Sequence, residues 1–529
     1  MLSSIQTLDK QTLFALLSQR FEDGEKRLSQ IPNPSLLQDA DKSAKRIAKA
    51  IQNHEKIALV GDYDVDGVSS TAIMVDFFRQ IPYPLEAIIP NRFRDGYGVS
   101  PSVLDRIEAD LIITVDNGIT AIEAAKICKD RGIDLIITDH HTPSDILPEC
   151  FAIVDSKLPT CEYPFKEICG AEVAWLVLAL VKRELSLKID MRSFLDILSI
   201  AIIADVMPLV DINRTLVKEG LKLIMQSNRP SSIIIRDFLN KSSISSEDIA
   251  FLIAPRINSA GRLEDASIAL KFFTATSVHE AYKQFELLGQ LNELRKETEA
   301  DTTAEAMQSV NAKDRVIVVV GEDWHEGVVG IVASRLVDKY AKPAIVLSLK
   351  DGFAKGSARS VGDVNIYELI KANKSYLSKF GGHKMAAGLG LVKENIDSFK
   401  EAINKSAEKI PDKDFIPKEY VMGIISSEDI NHELLSLLES FEPYGEANIR
   451  PIFLFKEAQI INIKTMGKDK SHCKITIKQN INDIKTLELI MFREVLKMPK
   501  DRKLTCSYTV TKNEFNGKIS VQLLINKIY

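Results

Sequence analysis

The residues of this sequence that could do chemistry stand where apolar runs end. GDYDVDG follows KIALV and supplies Asp62, Asp64 and Asp66. IITVDNG supplies Asp116, LIIT is followed by Asp139, His140 and His141, and Asp205 closes the helical pattern of AIIADVMPL. Asp62, Asp64 and Asp66 are spaced by two, so all three project on one face if the strand persists that far. Carboxylates crowded together repel unless a cation neutralises them, and a mixed carboxylate and imidazole set suits Mn²⁺ or Mg²⁺ better than a thiolate-seeking metal. Taken singly, each stretch has an ordinary alternative. D-x-D after a strand can be a turn or a helix N-cap, Asp116-Asn117-Gly118 is a good turn, and a histidine pair can be structural. Four of them at one edge of one predicted sheet make a paired metal site the economical expectation.

A phosphodiester in reaction also needs its non-bridging oxygens held by fixed donors. APRINSAGR offers Arg256, Asn258 and Arg262 in a segment broken by Gly, Asn and Pro between helical patterns, with helix capping or pairing to Asp265 as the alternative. PNRFRDGYG offers Arg92, which could instead pair with Asp95, and GSARS offers Ser357 and Arg359 on what could equally be a solvated strand. In FGGHKMAAG the glycines before His383, Gly381 and Gly382, allow close backbone approach to phosphate or an ordinary tight turn. Near the C-terminus Lys464, Lys468, Lys470 and Lys474 surround Gly467 and His472, with Phe453, Phe455, Phe492 and Tyr508 available along the strands. Lysines with aromatics suit a single nucleic-acid strand, although half or more of those rings are expected in a core.

The elements that must position these groups follow from periodicity. From about residue 55 to 155 short apolar runs alternate with helical patterns, which predicts parallel βαβ units with both sheet faces covered and ligands at the carboxyl ends of the strands. Residues 170 to 310 read as almost wholly helical and end in a long charged pattern, a connector helix. A second alternating region starts at DRVIVVVG and runs to about 410. After EPYGEANIRPIF come period-two runs such as HCKITIKQ and KLTCSYTVT, joined at one point by the turn Asn516-Gly517, which predicts a small OB-like barrel. The expected division is an N-terminal helical segment 1–50, a catalytic α/β domain 51–210, a helical region 211–310, a second α/β domain 311–410, a linker 411–450 and a barrel 451–529.

Composition sets the frame. The 529 residues are 45% hydrophobic and 27% charged, enough to bury several cores. The net charge of −5 is uneven: residues 451–529 hold 15 Lys and Arg against 7 Asp and Glu, a balance of +8 that leaves −13 for the rest. A basic module on an acidic body fits an enzyme that holds a polyanion with one part and cations with another, and also fits a merely solvated surface. The six cysteines form no C-x-x-C pair and are expected to be reduced packing thiols rather than a disulfide framework or zinc site. With no signal-peptide core near the N-terminus and no stretch apolar enough to span a bilayer, a cytoplasmic protein without membrane contact is expected.

GDYDVDG, VDNG, TDHH and ADVMPL resemble the successive motifs of the DHH phosphoesterase superfamily. YPFKEICGAEVAW, APRINSAGR, WHEGVVGIVASRL, GSARS, FGGHKMAAG and NEFNGK are similar to stretches of its RecJ family, in the same order from Gly61 to Lys518. Two departures stand out: Asp155 where Asn is usual and Ala447 where Gly is usual. The resemblance implies a DHH parallel-sheet domain, a helical connector, a DHHA1 α/β domain and an OB-like barrel. It implies that Asp64, Asp66, Asp116, His140 and Asp205 hold two Mn²⁺ or Mg²⁺ ions, with Asp116 a bridge and Asp62 and His141 in contact with the ions or just behind. It places Arg92, Ser357 and Arg359 in a 5′-phosphate pocket, and Gly381, Gly382 and His383 against nucleic acid. The implied activity is 5′-to-3′ hydrolysis of single-stranded DNA to mononucleotides in repair and recombination. A monomer working with a helicase and a single-strand-binding protein is implied as well. A nanoRNA or cyclic-dinucleotide phosphodiesterase shares the metal motifs but typically stops before a basic barrel, and a non-catalytic Cdc45-like scaffold usually lacks part of the ligand set.

Overall fold

A computed structural model describes residues 5–21, 24–467, 470–481, 483–492, 494–515 and 518–529. Lys468 and the Asn516-Gly517 turn lie outside the described residues. The chain forms two compact units, one of residues 1–255, 269–283 and 420–529, the other of residues 256–268 and 284–419. No described helix is long and apolar enough to cross a membrane.

The first unit opens with a two-residue strand, β1 (Thr7–Leu8), and the helix Lys10–Ser18. Its central sheet is wholly parallel. It is built from β2 (Ile57–Val60), β3 (Glu86–Ile88), β4 (Leu111–Val115), β5 (Asp134–Asp139) and β6 (Ala152–Asp155), in the order β3-β2-β4-β5-β6. Strands β2, β4 and β6 are buried along their whole length. Continuous apolar runs of that kind are what a sheet covered on both faces requires. The order reverses between β2 and β4, and a crevice opens at such a switch point beyond the carboxyl ends of the strands.

The second unit holds a mixed sheet of β7 (Ile317–Glu322), β8 (Ala344–Lys350), β9 (Phe353–Arg359), β10 (Lys379–His383) and β11 (Ala386–Val392), in the order β10-β11-β9-β8-β7. The 31-residue helix Val278–Gln308 is the long connector helix expected from the charged pattern. The APRINSAGR stretch departs from expectation: it is the helix Ala254–Leu263. A π-helical turn, Ile249–Ile253, precedes it. Widening one turn relieves the clash that Pro255 would otherwise impose on the carbonyl behind it, so proline and glycine do not break the helix here. Gly381 and Gly382 likewise form no tight turn and sit inside β10.

The barrel belongs to the first unit and contains β12 (Val421–Ile425), β13 (Ile452–Met466), β14 (His472–Lys478), β15 (Leu487–Met491), β16 (Lys503–Phe515) and β17 (Lys518–Ile528). Strands β13-β14-β15-β17-β16 follow in order, and β13 pairs again with β16, which closes the barrel. Register shifts in β13 at residues 455–458 and 460–462 bend it enough to serve both neighbours. Phe453, Phe455 and Tyr508 fill the interior, and Leu8, Leu13 and Leu17 of the N-terminal elements join the same core. Of the four aromatics offered for stacking, three are therefore core. Phe492 is the exposed one, at 56%.

Candidate metal centre

Strand β2 ends at Val60, so the aspartates that follow do not share a strand face. Asp64 instead caps the helix Val65–Gln80, its Oδ1 accepting the N–H groups of Asp66 at 3.0 Å and Gly67 at 3.1 Å. Capping uses one carboxylate oxygen and leaves the other available. Asp66 lies in the first turn of the same helix and accepts N–H bonds from Gly170 at 2.6 Å and Ala171 at 2.9 Å, the positive end of the helix Gly170–Glu184. Asp116 follows β4 with φ of 62°, a left-handed conformation that aspartate adopts more readily than most L residues. Asn117 supports it by donating to Val60 O and Val115 O, which ties β2 to β4 at the switch point. Asp205 ends the buried apolar helix Leu195–Ala204. Arg229 pairs with Asp76 on the helix Val65–Gln80 and with Asp196 on the helix Leu195–Ala204, so one guanidinium fixes the two helices that carry Asp66 and Asp205.

These elements bring two ligand sets together. Asp62, Asp64 and Asp116 can offer oxygens within 4.8 Å of one another, and Asp66, His140 and Asp205 do the same with two oxygens and a ring nitrogen. The sets share no residue, yet His140 Nε2 stands 3.2 Å from Asp116 Oδ1, 3.5 Å from Asp205 and 3.6 Å from Asp66. Asp116 also groups with His140 and His141. It thus lies at the seam between the two sets.

The electrostatics are those of crowded, buried carboxylates. Burial pushes the carboxyls of Asp62, Asp64 and Asp116 up, and neighbouring aspartates push them further. Burial together with Asp66 and Asp64 raises Asp205 to about 8. His140 is driven down by burial, which favours the neutral imidazole a metal needs. Four buried polar atoms here, Asp62 Oδ1, Asp116 Oδ1, His140 Nδ1 and Asp205 Oδ2, have no hydrogen-bond partner among the described residues. Orphaned polar atoms are costly in a protein interior, and a pair of divalent cations accounts for them.

Several supporting residues are not apparent from sequence. Asp139 stands out there only as part of its triplet. Its carboxylate accepts N–H bonds from Ile119, His140 and His141 and holds His141 Nδ1 at 2.7 Å. Burial alone would raise Asp139, but the His141 contact outweighs it and the carboxyl is held below its usual range. Burial would lower His141, and Asp139 with the other carboxylates raises it to about 9. Tyr97 donates its hydroxyl to Asp116 O at 3.2 Å. Two glycines leave room for carboxylates: a Cβ at Gly170 would stand 2.5 Å from Asp116 Cβ, and one at Gly67 2.6 Å from Asp62 Cα. Only a required close approach marks such glycines, and spacing carries no sign of it.

The remaining expected residues fall in two places. In the first unit Arg92 stacks over the Tyr63 ring at 5.2 Å, while Asp95 is taken by Arg94 and Arg106. Barrel residues Lys470 and His472 flank the start of β14, and His472 meets Phe492 edge-on at 5.3 Å. In the second unit Arg359 donates to Ser357 Oγ and Ala358 O, both at 2.8 Å. Burial lowers its pKa, and no carboxylate among the described residues pairs with it, so the strand is not simply solvated. A Cβ at Gly330 would lie 3.1 Å from both Arg359 Nη2 and Ser357 Oγ, which sets these donors at the first turn of the helix Val329–Tyr340. Arg256 and Asn258 lie on the helix Ala254–Leu263, with Arg256 over Phe285 at 5.1 Å, and Arg262 reaches Gly327 O at 3.4 Å. Gly381, Gly382 and His383 lie on the edge strand β10, with Gly382 and His383 exposed.

The chain matches the N-terminal domain of the DHH family over residues 56–202, the DHHA1 domain over 313–409 and the RecJ OB domain over 423–527. It is similar to the single-stranded-DNA-specific exonuclease RecJ of Bacillus subtilis, at 35% identity over 93% of this chain, and spans 64% of that relative's length. The RecJ of Haemophilus influenzae is 32% identical over 96% of this chain and 94% of its own. Among solved structures, RecJ of Thermus thermophilus in complex with Mn²⁺ superposes with a TM-score of 0.80 at 27% identity, covering 93% of this chain and 72% of that one. An exonuclease RecJ bound to manganese matches at 32% identity with a TM-score of 0.63, covering 71% of this chain and 96% of that one. By its likeness to the Haemophilus protein over nearly the whole of both sequences, the chain belongs to the RecJ family.

Proposed function

We propose that this protein is an exonuclease that hydrolyses single-stranded DNA from the 5′ end and releases 5′-mononucleotides. The observation that carries the reading is the meeting of two disjoint ligand sets, Asp62, Asp64 and Asp116 against Asp66, His140 and Asp205, with buried atoms of both sets lacking partners. Relatives named as single-stranded-DNA-specific exonucleases support the choice of substrate. Two bound Mn²⁺ or Mg²⁺ ions would supply activation of a water and neutralisation of the phosphoryl oxygens. The chain's own residues do the rest. Asp116 joins the two ligand sets, and Asp139 orients His141 through its Nδ1. His141 Nδ1 is engaged by Asp139, so Nε2 is the atom left to donate to a substrate phosphate oxygen.

Ser357 and Arg359 of the second unit read the terminal 5′-phosphate, which carries more charge and more free oxygens than an internal diester, and Arg92 of the first unit is a further phosphate-binding residue. Arg256, Asn258, Arg262, Gly381, Gly382 and His383 bind the strand, and so does the barrel with Lys468, Lys470 and His472. The enzyme acts in the cytoplasm as a monomer, beside a helicase and a single-strand-binding protein. The reading is tested with an end-labelled oligonucleotide in Mn²⁺, set against short RNA and cyclic dinucleotides. Label released from the 5′ end as mononucleotide is expected. Release from the 3′ end, or faster turnover of cyclic dinucleotides than of single strands, would overturn it.

A further inference from the structure

The turn that follows β6 has no part in the ligand sets, yet the fold sets it beside them. Strands β5 and β6 run parallel in a register that pairs Asp139 with Asp155. One step beyond that pair β5 gives His140 and His141, and β6 gives Ser156 and Lys157. The Asp155 carboxylate accepts the Lys157 N–H at 2.7 Å and turns the chain there. Ser156 and Leu158 on either side are buried, and Ser156 Oγ donates to Lys166 O at 2.6 Å. Lys157 is therefore a half-buried residue between two anchored neighbours, with its direction set by the backbone. Lys157 therefore stands at the carboxyl ends of the strands, one strand over from His140 and His141. Among the described residues no carboxylate stands within ion-pair distance of it. A cation held unpaired at the rim of a carboxylate cluster is suited to an anion that arrives from outside.

We infer that Lys157 is a further catalytic residue, whose ammonium binds a non-bridging oxygen of the phosphate under attack. The inference rests on the exonuclease reading and deepens it. In the hydrolysis a water oxygen bonds to phosphorus and the bond from phosphorus to the 3′-oxygen breaks. The water loses a proton and the departing 3′-oxygen gains one. Lys157 transfers no proton in this scheme, and supplies fixed positive charge where negative charge builds up.

The test compares wild type, Lys157→Ala, Lys157→Met and Lys157→Arg on 5′-phosphorylated single-stranded DNA in saturating Mn²⁺. Turnover and the Mn²⁺ concentration for half-maximal rate are both measured. Turnover of the Ala and Met variants should fall about a hundredfold, with the Mn²⁺ requirement unchanged and part of the loss restored by Arg. Met keeps the apolar stem and guards against simple misfolding. A single phosphorothioate at the scissile phosphate should slow wild type more than the Ala variant in one of its two diastereomers. Ala and Met variants within twofold of wild type would overturn the inference, as would an equal loss of Mn²⁺ affinity, which would make Lys157 a support for the ligands. A wild type that fails to hydrolyse the strand would remove the exonuclease reading itself, a result separate from either.

Discussion

Asp116 is the residue on which the centre turns, and its environment gives a stability signature as well as a catalytic one. The folded protein without cation holds Asp62, Asp64 and Asp116 with raised pKa values and Asp205 at about 8. Unfolded aspartates titrate at about 4, so between these limits the folded state binds more protons than the unfolded one. Stability of the metal-free protein should thus fall as pH rises from about 4 to about 8, and His141, raised to about 9, adds in the same direction above about 6.5. Saturating Mn²⁺ should remove most of that slope. Asp116→Asn should abolish hydrolysis and raise the melting temperature in chelator at pH 8, because the buried cluster then has one group fewer to protonate or to bury charged. A variant that melts lower in chelator than wild type would show that Asp116 is held by contacts rather than strained by charge. Arg359 invites a different measurement. With a hydroxyl and a carbonyl as partners and no carboxylate among the described residues, it has donors to spare for a phosphate. Arg359→Ala should slow 5′-phosphorylated substrate roughly 100-fold, about 2 to 3 kcal/mol for removal of a charge-assisted hydrogen bond, and shrink the preference over 5′-hydroxyl ends. Equal slowing on both substrates would remove it from terminal recognition.

At the scale of elements, a hairpin shows how strain becomes visible only in three dimensions. Gly445 and Asn448 bond to each other at both ends, with Glu446 and Ala447 at the tip, and Glu446 O accepts the Leu209 N–H at 2.8 Å. Ala447 sits at φ of 59°. The left-handed conformation disfavours alanine by more than glycine loses in unfolded freedom, so Ala447→Gly should stabilise the protein by about 0.5 to 1 kcal/mol. A urea midpoint that falls instead would mean the tip tolerates alanine without strain. Legibility follows the same division between local and non-local causes. The strands β2, β4, β5 and β6 and the positions of Asp62, Asp116, His140 and Asp205 were legible, because continuous apolar runs and the polar residues that stop them are local signals. The helix Ala254–Leu263 was not, because the π-helical turn that accommodates Pro255 is a property of the residues before it. The service of Asp139 to His141 and of Gly170 to Asp116 was also hidden, since each depends on which strand or helix end arrives alongside.

Across the whole molecule, charge is divided between an acidic body and a basic barrel, and the barrel's outer face shows how the basic part is arranged. In the pairing of β13 with β14, Lys464 stands directly opposite Lys474 and Met466 opposite His472. Side chains alternate, so the intervening Cys473 and Ile475 point into the core while Lys464, Lys474 and His472 share the outward face, where His472 meets Phe492. Like charges directly across a sheet are destabilising, and among the described residues only Lys474 of the pair has a counter-charge, Glu488 at 2.9 Å. A repulsive pair beside an exposed aromatic is what a surface for a single nucleic-acid strand would hold, with lysines on phosphates and a ring under a base. Removing the barrel outright is a poor test, since its core is shared with Leu8, Leu13 and Leu17. Neutralising the pair leaves that core intact. Lys464→Gln with Lys474→Gln should weaken binding of a long single strand, and the slope of log affinity against log salt should become shallower by about 0.7 for each phosphate no longer neutralised, about 1.4 for both. The melting temperature should hold or rise slightly as the repulsion is relieved. If affinity falls with the slope unchanged, the lysines do not touch phosphates and the loss is structural; if neither changes, the strand does not cross this face.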